Sequence, residues 1–525
     1  MSVVVVGPLL VALFTAIVTL ALRRWGPVQR AASLVGSILY LGVVALLIRD
    51  VRADEAGYLV YQLSNWQAPY GISLVADDLA VLMLALTAVV SLLAVVFSAR
   101  YIDEEGQRLS YHPLYHLMVA GITGSFLTGD IFNLFVWFEV MLMSSYVLVV
   151  FYSGPEETRA ALHYAFLNLI GSAVMLLAIG GLYATTGTLN MADMAQRLGA
   201  PGQYGVDLPA VLGLSALLLS VFALKAGIVP FQFWVPDAYR AAPAPVAAML
   251  AGVVKKVGVY AIIRLYFTVF AAASLPNLSG FGGGGELGFL AFFGPVFFLM
   301  ALGSVVVGGF GAVARKDLDG LLAYSSIGQV GFIVLPLAVA ASVPADSSIR
   351  TLGVVAALVY SVNHGIAKSL LFFVSGAIQG AVGSVDFEDL GGLAEREPLL
   401  SGTFFVGALA LIGIPPLSGF FGKLLVFDAA VQAQSALALG VSLGGAILTI
   451  AYFTLAWSRG FWSEPGMAVE GTRADRSLVG VAAVLAVLIV VFGVGFGPLL
   501  ELAEDAAVAA TETQGYIDAV LGGEA

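Results

Sequence analysis

The chain has 525 residues, 60% of them hydrophobic and only 11% charged, with a mean hydropathy of +0.98. A soluble domain carries about 25% charged residues, so this composition excludes a water-exposed globular surface and requires a bilayer. No cysteine is present, which excludes disulfides and thiolate metal sites; the net charge of −11, carried mostly by loops and the C-terminal tail, argues against a nucleic-acid partner, and a halophilic host or an acidic outer face would each account for it.

Apolar runs of about 20 residues recur from end to end, each long enough to cross a hydrocarbon core of about 30 Å as a helix. They predict an all-α polytopic membrane protein with about fourteen transmembrane helices, near 3–22, 31–48, 79–98, 113–129, 131–152, 160–184, 208–229, 243–267, 288–308, 321–341, 352–377, 400–427, 435–457 and 477–498. The first run lacks a preceding basic stretch and is followed by Arg23 and Arg24, the wrong order for a cleaved signal peptide, so it reads as a retained helix. Segment 51–76, with its alternation and turn residues, predicts an extracytoplasmic hairpin or a surface helix. The glycine run Gly282 to Gly285 reads as a linker, since no phosphate loop or dinucleotide fingerprint occurs in a strand–turn–helix context. The tail after Pro498 is short, acidic and amphipathic in places.

Basic residues in the short loops set the orientation. One side holds Arg23, Arg24, Arg30, Arg100, Arg108, Arg159, Arg240, Arg315, Lys316, Arg396, Arg459, Arg473 and Arg476; the other holds Arg49, Arg52, Arg197 and Arg350. The richer side is predicted to be cytoplasmic, which places both termini outside the plasma membrane of a prokaryote.

Two spans are interrupted alike. Span seven reads Leu224-Lys225-Ala226-Gly227-Ile228-Val229-Pro230, and span twelve reads Ile412-Gly413-Ile414-Pro415-Pro416 before continuing to Lys423. They lie an odd number of spans apart, so equivalent helices would cross in opposite directions, as in an inverted repeat of spans four to eight against nine to thirteen. The predicted organisation is N-terminal helices and hairpin at 1–112, a first repeat at 113–270, a second at 286–458, and a last helix with the acidic tail at 459–525.

Lysine usage carries the functional argument. Of six lysines, only Lys316 falls in a predicted loop, whereas Lys225, Lys255, Lys256, Lys368 and Lys423 fall inside predicted spans. A charge at a helix centre costs roughly 2.5–3.5 kcal/mol on insertion scales, so such residues are expected only where they are used. Arginine stays protonated under burial, while a desolvated lysine can exchange its proton near neutral pH. Glu139, alone in mid-span, needs a partner, and Lys225 is the expected one. His364 and Lys368 are four residues apart and share a helix face, an arrangement suited to a proton relay. Lys255 points about 100° away from Lys256 and reads as structural. His163 is open to both a structural and a functional reading. His112, His116 and Arg264 read as interfacial, and Asp130 and Asp237 as caps, mouth residues or partners. The four histidines are too scattered for a metal site, and no cofactor is expected.

These motifs resemble the family that includes the large membrane subunits of respiratory complex I and of Mrp-type multisubunit Na⁺/H⁺ antiporters, over about Asp130 to Lys423. The stretches Gly129-Asp130-Ile131-Phe132-Asn133-Leu134-Phe135-Val136-Trp137-Phe138-Glu139-Val140, Gly187-Thr188-Leu189-Asn190-Met191-Ala192-Asp193 and Trp234-Val235-Pro236-Asp237-Ala238-Tyr239-Arg240-Ala241-Ala242-Pro243-Ala244-Pro245-Val246 most resemble the D-type subunits of Mrp antiporters. The resemblance implies a fourteen-helix core, two inverted five-helix repeats and broken helices seven and twelve. It also implies a proton axis of Glu139, Lys225, Lys256, His364, Lys368 and Lys423, with His163, Asp237, Lys255 and Gln329 as accessory candidates. Two positions depart from the family pattern: His163 stands where relatives often have lysine, and Gln329 near a histidine of some complex I relatives. Gln329 cannot titrate, so a relay step there would depend on water.

The expected function is therefore proton translocation in a multisubunit monovalent cation (Na⁺)/proton antiporter, with H⁺, Na⁺, lipid and further membrane subunits as partners. No catalytic chemistry is expected in this chain. The alternatives are a proton-pumping subunit of a complex I-like oxidoreductase or membrane-bound hydrogenase, whose redox centres would sit in partners, and a scaffold, which would gain nothing from buried lysines.

Overall fold

The computed structural model describes residues 2–108, 110–275, 287–464, 468–469 and 471–522, so the glycine run at 282–285 lies outside the described residues. Among these, twelve helices are long and apolar enough to cross a membrane. They are α1 (Val3–Ala21), α2 (Gly26–Ala53), α3 (Asp78–Tyr101), α5 (Ile131–Val149), α6 (Pro155–Thr186), the first half of α7 (Leu208–Ala226), α8 (Ala244–Ala272), α9 (Phe289–Val313), α10 (Leu318–Ala341), α11 (Ser348–Val382), α13 (Ala436–Phe461) and α14 (Arg476–Val494). The two other expected spans are also helical but fall short: α4 (Tyr111–Leu127) has 17 residues, and α12 is split into Pro398–Ile412 and Ser418–Gln432. The second half of α7 is Trp234–Ala241.

Helix starts follow from local chemistry. The carboxylates of Asp77, Asp130, Asp317 and Asp475 accept backbone N–H groups at the starts of α3, α5, α10 and α14, where free amides need a partner. Proline occupies the first turn of α2, α6 and the first halves of α7 and α12, and of the α-helical part of α1 that begins at Gly7, where its missing N–H costs nothing.

Segment 51–76 resolves the hairpin-or-helix alternative largely in favour of the hairpin. Strands β1 (Tyr58–Gln62) and β2 (Ser73–Asp77) pair antiparallel, with Tyr58 opposite Asp77 and Gln62 opposite Ser73. The tail folds back as α15 (Gly497–Thr511) and α16 (Thr513–Leu521). Thr268 at the end of α8 donates to the Ala510 carbonyl at 2.7 Å, and Thr513 donates to the Thr268 carbonyl at 2.8 Å.

Burial separates centre from rim. The most apolar stretch of α8 is 100% buried and that of α10 94%, against 33% for α2 and α13. Helices α8, α10 and α11 are therefore the axis of the molecule, and the apolar outer faces of the rim helices are what lipid or neighbouring chains would cover. Helix α8 is not uniformly α-helical: it widens into π-helical turns at Leu250–Val254 and Ile263–Val269, which flank Lys255 and Lys256 and contain Arg264. Such turns shift side chains out of the α-helical register and often mark functional sites.

Candidate functional site

The two spans expected to be interrupted, α7 and α12, are both broken, and each break is closed by side chains. Helix α7 ends at Ala226, with Gly227 at φ +64, a left-handed conformation that suits glycine. The Trp234 indole donates to the Leu224 carbonyl at 2.7 Å, and the Val229 amide donates to Ser304 of α9 at 3.0 Å. In α12, Gly413 at φ +93 ends the first half, and the Lys423 ammonium donates to the Ile412 carbonyl at 3.0 Å. An ammonium on a helix C-terminus is favoured by both hydrogen bonding and the helix dipole. Backbone groups freed at membrane depth are thus re-satisfied inside the protein.

The five in-span lysines are all buried, with Lys255, Lys256 and Lys368 fully inaccessible. Lys255, Lys256 and Lys368 belong to a central polar cluster on α8, α10 and α11, made of two hydrogen-bonded runs. Lys256 Nζ lies 2.5 Å from His364 Nδ1 and donates to the Ala251 carbonyl at 3.0 Å, a carbonyl within the first π-helical turn. The other imidazole nitrogen, Nε2, lies 3.4 Å from Ser326 Oγ, which also accepts from Lys255 Nζ at 3.3 Å. Lys368 donates to the Leu322 carbonyl at 3.0 Å and to Ser325 Oγ at 2.8 Å. Ser325 donates in turn to Tyr452 of α13 at 2.9 Å. Gln329 gathers the next links: its amide donates to Tyr452 at 2.7 Å and to Thr449 at 3.1 Å, and its carbonyl accepts from Tyr360. Beyond it, the rings of Tyr360 and Phe332 pack at a tilt with centroids 5.5 Å apart, and Lys423 Nζ sits 4.7 Å from the centre of the Phe332 ring.

The expected Glu139–Lys225 contact is not made. Glu139 accepts from Ser172 of α6, and no ion pair joins it to Lys225, whose buried ammonium finds no hydrogen-bond partner among the described residues. The sequence shows that a mid-span carboxylate needs a partner; it does not show that a serine one helix away reaches it first. Lys255, read as structural, is hydrogen-bonded in the central cluster.

Three residues read as interfacial lie in the interior. Arg264 is 2% exposed and donates to both carboxylate oxygens of Asp77 at 2.6 Å. His112 and His116, one turn apart on α4, both bond Ser33 of α2, at 3.0 and 2.7 Å. In each case a polar partner from another element, Asp77 at the end of β2 or Ser33 of α2, replaces the water that an interfacial position would have supplied. His163 pairs with Asp237 at 3.0 Å on a half-exposed surface. Asp130 caps α5 through the Asn133 amide at 2.7 Å, while burial pushes its carboxyl above the usual carboxylate range.

Sequence reasoning missed Ser172, Ser325, Ser326, Tyr360, Thr449 and Tyr452. A signal existed only for the serine pair, which lies one helical turn before Gln329 in Ser325-Ser326-Ile327-Gly328-Gln329. Among the described residues, no group of three or more His, Cys, Asp or Glu side chains could hold a metal ion. What the cluster offers is a chain of hydrogen-bonding groups, several of them titratable, running through the buried centre of a membrane protein.

Residues 128–449 match the family model described as NADH:quinone oxidoreductase/Mrp antiporter, transmembrane. The chain is 32% identical over 523 residues to the D-type subunit of the Na(+)/H(+) antiporter of Alkalihalophilus pseudofirmus, covering 99% of this chain and 100% of that protein. It is 34% identical over 479 residues to the N-type subunit of the NADH-quinone oxidoreductase of Desulforudis audaxviator, covering 90% and 88% of the two chains. Among solved structures, a chain of the Mrp complex from Dietzia sp. DQ12-45-1b superposes with a TM-score of 0.85 at 28% identity, covering 99% of this chain and 100% of that one.

Proposed function

Since this chain belongs to the NADH:quinone oxidoreductase/Mrp antiporter family of transmembrane proteins, we propose that it is the proton-translocating subunit of a multisubunit monovalent cation/proton antiporter. The observation that carries this reading is the buried chain from Lys256 through His364, Ser326 and Lys255, and from Lys368 through Ser325 and Tyr452 to Gln329. Protons would move along Glu139, Lys225, Lys256, His364, Lys368 and Lys423, with Lys255 and Gln329 within the path and His163 and Asp237 near its entrance. The halves of α7 and α12 would admit protons from opposite sides, in keeping with two inverted repeats within a fourteen-helix core.

Full-length similarity to the D-type subunit of a Na(+)/H(+) antiporter and to a chain of an Mrp complex supports Na⁺ as the exchanged ion and further membrane subunits as partners. The basic loops support a plasma-membrane orientation with the arginine-rich face in the cytoplasm. Similarity to the N-type oxidoreductase subunit favours a second reading, in which the same axis serves a redox-driven pump whose electron carriers lie in other chains.

The test is Lys256→Ala in the assembled complex, measured as Na⁺-dependent proton flux in vesicles. Loss of flux with the complex intact is expected; unchanged flux would remove the axis from the mechanism.

A further inference from the structure

A cavity of about 810 Å³ opens at the arginine-rich end, between α6, the second half of α7, α10 and α11. Its walls carry Glu156, Glu157, Asp237, Asp317, Asp319 and Asp386 against only Arg159 and Arg240. Two of the acids are engaged by bases, Asp317 with Arg240 at 3.4 Å and Asp237 with His163 at 3.0 Å. Asp319 accepts from Ser375 at 2.5 Å. A concave mouth with excess negative charge raises the local concentration of cations, protons included.

Tyr239 forms part of this wall and belongs to the protein interior at the same time. It is 1% exposed, and its hydroxyl finds no hydrogen-bond partner among the described residues. The ring is held between Trp234 and Phe372, with centroids 6.0 and 5.5 Å away. On its inner side, Lys255 Nζ lies 6.0 Å from the ring centre, and the same ammonium donates to the Ser326 carbonyl at 3.2 Å. Ser326 Oγ is the atom shared by Lys255, at 3.3 Å, and His364 Nε2, at 3.4 Å. The charged and titratable groups around Tyr239 are thus Lys255 from α8, Tyr164 from α6 beyond the Trp234 ring, and Asp237 and Arg240 from its own helix, with Asp317, Asp319, Asp386, Glu156, Glu157 and Arg159 around the cavity.

We propose that Tyr239 is the proton-carrying link between this vestibule and the central lysine–histidine cluster. A phenol both donates and accepts. Once a side-chain rotation or a bridging water brings the phenol within hydrogen-bond reach, its O–H passes a proton to Ser326 Oγ, the serine's own proton moves to the unprotonated Nε2 of His364, and a hydrated proton from the cavity replaces the one the phenol gave up. One proton crosses with no charge left on Tyr239, and the same steps run backwards for the opposite flux. An apolar packing role explains the ring but not a buried hydroxyl between a water-accessible mouth and a shared serine.

This inference rests on the proposed function, and the two are separable. In the reconstituted complex, Tyr239→Phe keeps the ring and removes the hydroxyl. Proton entry from the arginine-rich side should fall about tenfold, the order expected for losing one hydrogen-bonded step. Acidifying that side alone should recover part of the rate, which would not repair a packing defect. Lys256→Ala without effect would overturn the axis and this inference together. Lys256→Ala inactive with Tyr239→Phe at the parent rate would overturn only the tyrosine link, as would a Tyr239→Phe loss that acid on that side leaves unchanged. Loss in Asp319→Asn with none in Tyr239→Phe would move the entrance to the Asp319–Ser375 side.

Discussion

One guanidinium nitrogen of Arg264 donates to both carboxylate oxygens of Asp77 at 2.6 Å, in a site where the two side chains are 2% and 0% exposed. The pair ties the π-helical end of α8 to the junction of β2 and α3, and Tyr516 of the C-terminal helix α16 covers the guanidinium with its ring centre 5.0 Å away. Removing one partner of a buried ion pair strands the other charge, at a cost of about 3–5 kcal/mol. Asp77→Asn or Arg264→Met alone should therefore sharply lower thermal stability and the yield of complex in detergent. Asp77→Asn combined with Arg264→Met should recover much of the loss, because an asparagine side chain can still accept from the Ala80 amide as the aspartate does, and no charge remains. Additive losses in the double variant would show that the pair is not coupled.

Gln329 joins Tyr360, Tyr452 and Thr449 between the Lys368 and Lys423 ends of the cluster. Gln329→Leu keeps much of the volume but removes both donor and acceptor, so proton flux should fall about tenfold with assembly unchanged. Gln329→His restores a donor and an acceptor and should retain most of the flux. Equal loss in both variants would mean that shape, not hydrogen bonding, matters at this position.

Ser33 serves two buried imidazoles at once, His112 at 3.0 Å and His116 at 2.7 Å. These join α2 to α4, away from the lysine cluster. Ser33→Ala leaves polar nitrogens unsatisfied, at about 1–3 kcal/mol for each orphaned group. The melting temperature of the purified complex should drop while flux per assembled complex stays within about twofold, since hydrogen bonds between membrane helices act chiefly as glue. A loss of flux without loss of stability would contradict this structural role.

His163 and Asp237 form the opposite case, a pair whose side chains are 40% and 56% exposed. Exposed pairs contribute about 0–1 kcal/mol. Asp237→Asn should leave the melting temperature nearly unchanged, and a drop as large as that of Asp77→Asn would contradict the exposure argument.

The lysines were legible in the sequence because a charge inside an apolar run is expensive, so Lys225, Lys256, Lys368 and Lys423 stood out one by one. The proline-containing breaks were legible for a similar reason, since Gly227 and Gly413 precede prolines that cannot continue a helix. Arg264 was not, because near the end of a predicted span it has the pattern of a snorkelling residue, and its partner lies 187 positions earlier. Serines and tyrosines such as Ser172, Ser326 and Tyr452 cost little in a membrane helix, and nothing in their spacing reveals which ones converge. The π-helical turns of α8 escape periodicity altogether, since each changes the register without changing the composition.

Ser172, rather than Lys225, holds Glu139, and this separates two effects that a direct ion pair would have merged. If Glu139 acts by its charge, Glu139→Gln should end Na⁺-dependent proton flux while the complex still assembles. Ser172→Ala keeps the charge but removes the hydroxyl that orients it, and should lower flux by roughly tenfold, the size of one charge-assisted hydrogen bond. Lys225, buried and without a hydrogen-bond partner among the described residues, would then respond to the field of Glu139 rather than to contact with it. Combining Ser172→Ala with Lys225→Ala tests this: if the carboxylate acts on that lysine, the double variant should be no worse than Lys225→Ala alone. A further drop in the double variant would show that Glu139 and Ser172 act independently of Lys225.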